Sequence, residues 1–475
     1  MAILSALFNS RQTNHYSQAF PGTRDCTSAA MQKAVEDWFQ LYYAADVSEN
    51  EKEDPCQRIP VAVVSKLQKA CFGEYSAQIA AVGRKNEFME RCQAELDAVR
   101  KKAVQLAMIG GESWLKPIPA KDRFRWMVVR RDGVAVLGRD GSGRATDLIS
   151  TEKTRTAHGW YTLLERRKID PAGYLTIENK LYWSSEKDSL GTPTALSSLP
   201  QYEKLEPQYT YPQPIGSIGM VSLRMPTENT VDGSADAVSV FAPAVGLIHN
   251  INHNEWLLNQ EFDNGASRVF ASSDLLRRRK DHNGRTTQQE LPAGLFVGLD
   301  EDPKTTGITI FSPQLREQSF LVRKNEYLRN VESVLGIKRG LLCEVADVQR
   351  TATEVASSAG DYSLTVQDLQ EVWESADRQA LQLCDQLGQL YKLCPAGAFD
   401  PDEDLSISFG NGVLFDADKT HAENMQMVAA GLLKPELALA WKYGLPWDTS
   451  KDLAAIRKKY MPEMEHLVDE ETEEE

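Results

Sequence analysis

The sequence is short of the features that define disulfide-rich, secreted and membrane proteins. Its seven cysteines are odd in number, irregularly spaced and without a C-x-x-C pair, so neither a disulfide framework nor a zinc site is predicted. It has no run of about 18 apolar residues, the length that a bilayer-spanning helix needs. Residues 1–8 are apolar but too short and too uncharged for a signal peptide. We therefore expect a soluble protein that is made in the cytoplasm.

Basic residues are also in the minority. Lys and Arg number 53 against 68 Asp and Glu, which gives a net charge of -15. A protein that grips nucleic acid usually carries a basic excess that neutralises phosphates, so tight nucleic-acid binding is not expected. About half of the negative excess lies in residues 462–475, which contain eight acids and no Lys or Arg. This segment is predicted to be a disordered acidic tail.

The common signatures of nucleotide-binding proteins and hydrolases are missing. None of the patterns G-x-x-x-x-G-K-[ST], G-x-G-x-x-G, G-x-S-x-G and H-E-x-x-H occurs. We therefore expect no enzyme activity and no cofactor.

Two groups of residues have metal-binding potential, but neither completes a predicted site. His249 and His253 are four residues apart on a predicted helix, which suits a metal pair. Without a clear third ligand, two polar positions on a solvated helix are the favoured interpretation. The acids of residues 400–404 lack the glycine and the distal glutamate of an EF-hand, which favours a solvated turn. No metal site is predicted.

The remaining composition is that of a globular protein, with 42% hydrophobic and 25% charged residues. The first 110 residues have helical periodicity, with helices predicted at 30–45 and over about 61–108, closed by Gly110-Gly111. Alternating strand patterns follow, beginning with a hairpin over 124–137 around Asp132-Gly133. Further strands are predicted at 146–150, 159–166, 174–178 and 181–183. Residues 186–236 are predicted to form a long irregular connection.

Two long helices then bracket an insert. The first is predicted over 243–264 and the second from 312–313 to Gly336, each with a proline at its start. Their apolar stripes include Phe262 on the first and Leu321 on the second. The insert, residues 266–311, carries the basic cluster Arg277, Arg278, Arg279, Lys280 and Arg285. Later helices are predicted at 363–393, 421–430, 435–443 and 451–459, with a strand and turn at 405–415.

Four short segments carry a likeness to a known family. They are YTLLE (161–165) with YLTIENKLY (174–182), NINHNE (250–255) leading to QEF (260–262) and RVF (268–270), TATEV (351–355), and VAAGLL (428–433). In their order and spacing over nearly the whole chain, the sequence resembles the portal (connector) proteins of tailed bacteriophages. The form it resembles is that of long-tailed phages of Gram-positive hosts.

The resemblance implies an α+β portal fold with a reduced helical crown. Residues 1–242 would form the wing, with a helical part and then an antiparallel sheet. The stem helices would be 243–265 and 312–336, separated by a small β-containing clip at 266–311. The remaining parts would be a tunnel loop at 337–350, a wing return and crown at 351–461, and the acidic tail at 462–475.

The resemblance also implies a function without catalytic residues. The chain would form a cyclic homo-oligomer, typically of twelve subunits, at the unique capsid vertex of the virion. Double-stranded DNA would pass through it during packaging and ejection. Expected partners are the terminase large subunit, the major capsid and scaffold proteins and the head–tail adaptor, and no membrane. The clip, with its basic cluster, would dock the terminase and the adaptors, although such a cluster is often only a solvated surface.

Lys338, Arg339 and Arg350 are expected near the channel, either touching phosphates transiently or forming salt bridges between subunits. A ring would also bury the apolar stripes of two helices that make a poor core alone, since cyclic symmetry closes such contacts. An acidic lumen would let the duplex slide.

One alternative is a non-portal minor capsid or head–tail structural protein. Another is an unrecognised hydrolase or nuclease that uses scattered carboxylates with the two histidines.

Overall fold

The order of structural elements follows the changes of pattern along the sequence: helices, then antiparallel strands, then long helices again. The computed structural model describes residues 15–43, 56–79, 83–265, 314–343, 352–397, 399–409, 424–443 and 450–460, and five short strands between 268 and 311. The chain divides into two units, Met1–Phe409 and Gly410–Glu475. The mixture of helices and largely antiparallel sheet confirms the predicted α+β class.

The N-terminal part contains the helices α1 (Ala29–Tyr43), α2 (Ile59–Phe72) and α3 (Arg84–Gly110), preceded by a short helical turn at 15–19. The predicted helix at 30–45 is confirmed, and its apolar face is buried. The prediction of continuous helix over 61–108 is wrong, because strand β1 (Ser76–Ile79) interrupts it. The partner of β1 is β16 (Leu405–Ser408), more than 300 residues later, so local periodicity could not reveal this strand. Helix α3 ends as predicted at Gly110-Gly111, and Gly111 has a φ of 81° that favours glycine.

Two antiparallel sheets follow. The first has the order β10-β2-β3 and the second the order β4-β5-β6-β7-β8, with β9 also pairing with β7. The strands are β2 (Glu112–Pro119), β3 (Phe124–Arg130), β4 (Val134–Arg139), β5 (Ala145–Thr156), β6 (Gly159–Ile169), β7 (Leu175–Ser184), β8 (Thr192–Thr194), β9 (Gln208–Thr210) and β10 (Val221–Arg224). The strands predicted at 174–178 and 181–183 form one strand, β7.

The hairpin predicted around Asp132-Gly133 is wrong, although both of its strands exist. Strand β3 pairs with β2 and strand β4 pairs with β5, so the chain passes here from one sheet to the other. The connection is a 3-10 turn, Arg131–Gly133. The buried Arg131 guanidinium donates to the Val134 carbonyl and to Thr27 Oγ1, which holds the turn in the interior.

The two long helices after the sheets are α4 (Val245–Asn264) and α5 (Glu317–Val334). The second begins later than predicted, at Glu317, because residues 314–316 are not helical. The described strands of the insert form a three-stranded sheet and a two-stranded ribbon. They are β11 (Arg268–Ser272), β12 (Arg279–Lys280), β13 (Thr286–Thr287), β14 (Phe296–Leu299) and β15 (Thr309–Phe311). Strands β11 and β14 are parallel, and the other two pairings are antiparallel.

Helix α6 (Ala352–Leu390) is longer at its N-terminus than the predicted 363–393. Its predicted apolar face is confirmed, since Leu369, Trp373, Ala376, Ala380 and Leu387 are buried. This face joins one hydrophobic core with α1, α2 and α3 and with the inner ends of α4 and α5.

The described part of the second unit is helical. It contains a short helix at 424–429, then α7 (Pro435–Tyr443) and α8 (Ser450–Tyr460). Ala438, Ala440 and Ile456 are buried between the latter two, and Arg457 lies 3.5 Å from Glu436. None of the helices in the described ranges has the length and apolarity that crossing a bilayer requires.

A buried carboxylate ties the two sheets together. Glu165 on β6 lies 2.5 Å from the Lys116 ammonium on β2 and 2.7 Å from the Arg167 guanidinium. Burial by itself raises the pKa of Glu165, but Arg167 and Lys116 outweigh it and lower the pKa from 4.5 to about 2. The folded state therefore favours the ionised carboxylate.

Replacing this carboxylate should weaken the fold. We expect Glu165→Ala to lower the free energy of unfolding by about 3 kcal/mol at neutral pH, because two buried cations lose their partner. Because the folded pKa is depressed, the stabilisation is complete above 4.5 and is lost as pH falls towards 2. Urea unfolding followed by circular dichroism tests this, and the difference from wild type should shrink towards acid. Glu178→Ala, which removes a looser 4.0 Å pair with Arg166 in the same sheet, is the control and should cost less than about 1 kcal/mol. Equal losses for the two variants would contradict the prediction.

A second buried carboxylate lies between α3 and α6. Asp377 Oδ2 accepts hydrogen bonds from the Tyr75 hydroxyl at 2.8 Å and from Gln93 Nε2 at 3.1 Å. The Arg100 guanidinium lies 3.8 Å above the centre of the Tyr75 ring. Burial raises the pKa of Asp377 from 3.8 to about 7, against the opposing effect of these two hydrogen bonds.

The contribution of Asp377 to stability should therefore fall as pH rises from 3.8 to about 7, because the folded state retains a proton that the unfolded chain releases. We expect Asp377→Asn, which stays neutral, to have a melting temperature that changes less than that of wild type between about pH 5 and pH 8. Thermal unfolding at both values measures this. Asp368→Asn, at an exposed position of the same helix, should keep the wild-type slope. An unchanged slope in the Asp377 variant would show that this carboxyl does not titrate in the window.

Candidate functional site

Helices α4 and α5 run antiparallel and are joined by polar contacts along their outer half. Glu261 binds the Arg316 guanidinium through both carboxylate oxygens, at 3.0 and 2.7 Å. Nearer the core, Glu255 lies 2.8 Å from the Lys324 ammonium. Arg316, the residue just before the second helix, therefore lies beside the end of the first. The strands of the insert therefore leave and rejoin the pair at one end.

The inner half of the pair packs one apolar face into the core. Ile248 and Ile251 on α4 share the main core with Leu328 and Val331 on α5. The predicted apolar stripes are thus confirmed for this half and, farther out, for Leu258.

The outer half leaves apolar side chains in solvent. Phe262 and Leu321, which the sequence predicted on the buried stripes, are 46% and 44% exposed, and Val322 is 59% exposed. Leu257 on α4 and Leu315, just before α5, are exposed as well. Two helices packed only on each other bury one face each, so the other faces remain uncovered in the single chain. We call the set Leu257, Phe262, Leu315, Leu321 and Val322 the exposed apolar stripe.

The basic cluster of the insert is described only in part. Arg279 and Lys280 form strand β12 and pair with Thr287 and Thr286 on β13. Arg277, Arg278 and Arg285 lie outside the described residues.

The loop that follows α5, residues 336–343, carries two of the three predicted channel cations. Lys338 and Arg339 are adjacent and exposed, whereas Arg350 lies outside the described residues. Helix α5 ends in a Schellman motif: Gly336 N–H donates to the Ser333 carbonyl and Ile337 N–H donates to the Glu332 carbonyl. Gly336 has a φ of 61° and Ile337 is buried, so the two cations follow directly on an anchored turn.

Glu332 is the residue of this loop site that sequence reasoning missed. Its side chain is fully buried, and its carboxylate accepts hydrogen bonds from the backbone of residues 340–343. The available signal was weak: an acid in the last turn of a predicted helix, where the helix dipole disfavours negative charge.

The histidines set aside as a metal pair lie on α4, and both are exposed. His253 stacks on Trp256 with ring centres 5.3 Å apart. Their polar neighbours are engaged elsewhere, since Asn252 Oδ1 accepts from Gln57 N–H at 3.0 Å and Glu255 binds Lys324. In the part of the chain that the structure describes, no three His, Cys, Asp or Glu side chains cluster as metal ligands would.

The acids of residues 400–404 form one helical turn, Pro401–Asp404. Asp400 caps it, because its side chain accepts from the Asp402 N–H at 2.9 Å. Asp402 is 80% exposed on its side chain and lies 3.6 Å from Arg378.

The chain matches no protein-family model, and a search of the curated proteins finds no relative for it. The function proposed below therefore rests on the arrangement of α4, α5, the insert and the loop, together with the segments quoted above.

Proposed function

We propose that the chain is a subunit of the portal ring of a tailed bacteriophage. The ring would hold about twelve copies at the unique vertex of the capsid, where cyclic symmetry closes contacts between unlike faces. Double-stranded DNA would pass through its centre during packaging and ejection. The subunit would act as a conduit and docking platform and would carry out no reaction itself.

The observation that carries this proposal is the antiparallel helix pair with its exposed apolar stripe. In a monomer, the outer half of the helix pair would hold five exposed apolar side chains in water beside a small β insert. Burying a large aliphatic or aromatic side chain contributes about 1.5–3 kcal/mol, and these are roughly half exposed. Side-by-side packing of the pairs from neighbouring subunits would therefore stabilise a ring, with the pairs as its stem.

The charges are consistent with a channel through which DNA slides. A net charge of -15 in each subunit makes a phosphate-gripping wall unfavourable, since affinity for DNA comes mainly from cations that replace counterions. The exposed pair Lys338 and Arg339 would then supply a few weak phosphate contacts. The insert, at the far end of the helix pair from the core, would be the clip that meets the terminase and the head–tail adaptors.

The ring itself is the first test. Electron micrographs of the purified chain should show rings with a hole that admits a hydrated duplex. We expect Val322→Asp to abolish rings while the subunit stays folded, because the residue is exposed in the monomer and such surface changes cost little stability. Asn330→Asp adds the same charge at an exposed polar position of the same helix and should leave rings intact.

Stable wild-type monomers in the presence of scaffold and capsid proteins would contradict the portal proposal. Rings that form but never bind terminase would instead favour a minor capsid or head–tail structural protein.

The basic cluster of the insert gives a separate prediction. Reversing the charge of Arg277, Arg278, Arg279 and Lys280 to Glu should leave rings intact and abolish terminase binding and DNA packaging, because electrostatic docking would become repulsion. Pull-down of terminase and a packaging assay measure the two effects. The matched control reverses Lys101 and Lys102, which are exposed on α3. Unchanged packaging in the cluster variant would contradict a docking role for this cluster.

A further inference from the structure

Glu332 lies in an unfavourable place for a carboxylate. It sits in the last turn of α5, where the carbonyl end of the helix dipole repels negative charge, and its side chain is fully buried. A buried carboxylate at such a position is tolerated only where strong donors surround it.

The loop 336–343 supplies these donors from its own backbone. The N–H of Gly340 lies 3.1 Å from both carboxylate oxygens of Glu332. The N–H groups of Leu342 and Cys343 donate to Oε1 at 2.5 and 3.1 Å. The Cys343 thiol donates to Oε2 at 3.0 Å, and burial, together with this carboxylate, raises the pKa of the thiol, which keeps its proton in place. Such a nest of donors around an anion is a set of charge-assisted hydrogen bonds, the strong kind.

Two further anchors act on the carbonyl groups of the same loop. The Lys66 ammonium on α2 donates to the Leu341 carbonyl, and Thr365 Oγ1 on α6 donates to the Gly336 carbonyl at 3.2 Å. The loop is thus tied to three helices, while Lys338 and Arg339 remain exposed. Its backbone is fixed, and only two cationic side chains project from it.

We propose that Glu332 is a positioning residue, a clamp that holds the loop 336–343 so that Lys338 and Arg339 meet passing DNA phosphates at one fixed height in the channel. This inference rests on the proposed portal function. A free cationic loop could follow a moving phosphate and keep its contact, which would slow the duplex. A clamped loop cannot follow, so each phosphate contact breaks as the DNA advances.

The clamp is tested first by trypsin, which cleaves after Lys338 and Arg339. Cleavage of a native loop requires local opening, so its rate reports the fraction of time that the loop is free. We expect Glu332→Gln, which loses the charge, to be cut at the Arg339–Gly340 bond about tenfold faster or more than wild type. The full-length chain is digested, and mass spectrometry measures how fast fragments with a new N-terminus at Gly340 appear.

Two variants accompany this measurement. Glu326→Gln on the same helix is the control, because Glu326 is exposed and makes only a 3.9 Å pair with Arg329; its cleavage rate should equal that of wild type. Lys66→Met removes the anchor at the Leu341 carbonyl and should also accelerate cleavage. It therefore tests the clamp even if Glu332→Gln fails to fold.

The DNA half of the proposal is tested in rings. Glu332→Gln rings should have the wild-type size and package DNA more slowly. Adding Lys338→Ala and Arg339→Ala should restore the packaging rate, which a purely structural defect would not allow.

Cleavage that stays at the wild-type rate in both Glu332→Gln and Lys66→Met overturns the clamp. Faster cleavage with unchanged packaging overturns its role on DNA. A wild-type chain that forms no rings overturns the portal function and the DNA half together, while the cleavage rate still decides the clamp.

Discussion

Burial of one face of the 39-residue helix α6 against α2 and α3 is the contact on which the rest of the larger unit depends. Trp373 lies at its centre, fully buried, with the rings of Phe72 and Tyr75 each 6.4 Å away and edge-on. The contact joins segments separated by almost 300 residues. It also creates the enclosed space that raises the pKa of Asp377, and it provides two of the three helices that anchor the loop 336–343.

The helix pair α4 and α5 is packed into this core along only part of its length. Its inner half lies in the main core, where Ile251 and Val331 are fully buried. Its outer half is held by Glu261 with Arg316 and Glu255 with Lys324, contacts on the surface that contribute little stability. The apolar side chains beside them have no cover in one chain. The same pair is therefore well anchored at one end, and under the proposed function its other end is where a neighbouring subunit of the ring would pack.

Two kinds of buried carboxylate serve different purposes in this molecule. Glu165 is ionised between two cations and joins two sheets, and Glu332 accepts backbone donors and fixes a loop. Glu165 links β6 to Lys116, 49 residues earlier on β2, whereas Glu332 links the end of α5 to the loop that directly follows it. Under the proposed function, Glu165 would keep the wing rigid, and Glu332 would set how Lys338 and Arg339 meet DNA.

The sequence by itself determined the elements whose signals are local. The helix α1, the end of α3 at Gly110-Gly111, the apolar face of α6 and the α+β class could be predicted because periodicity and end signals act within a few residues. Only the tertiary structure decided which strands pair, as at Asp132-Gly133, where a buried Arg131 carries the chain from one sheet to another. It also decided that β1 interrupts a helical pattern, that Phe262 and Leu321 remain exposed, and that Glu332 faces the backbone of residues 340–343. Most of these outcomes depend on contacts between segments far apart in the chain, and even the Glu332 contacts, 8 to 11 residues away, lie beyond the reach of helix or strand periodicity.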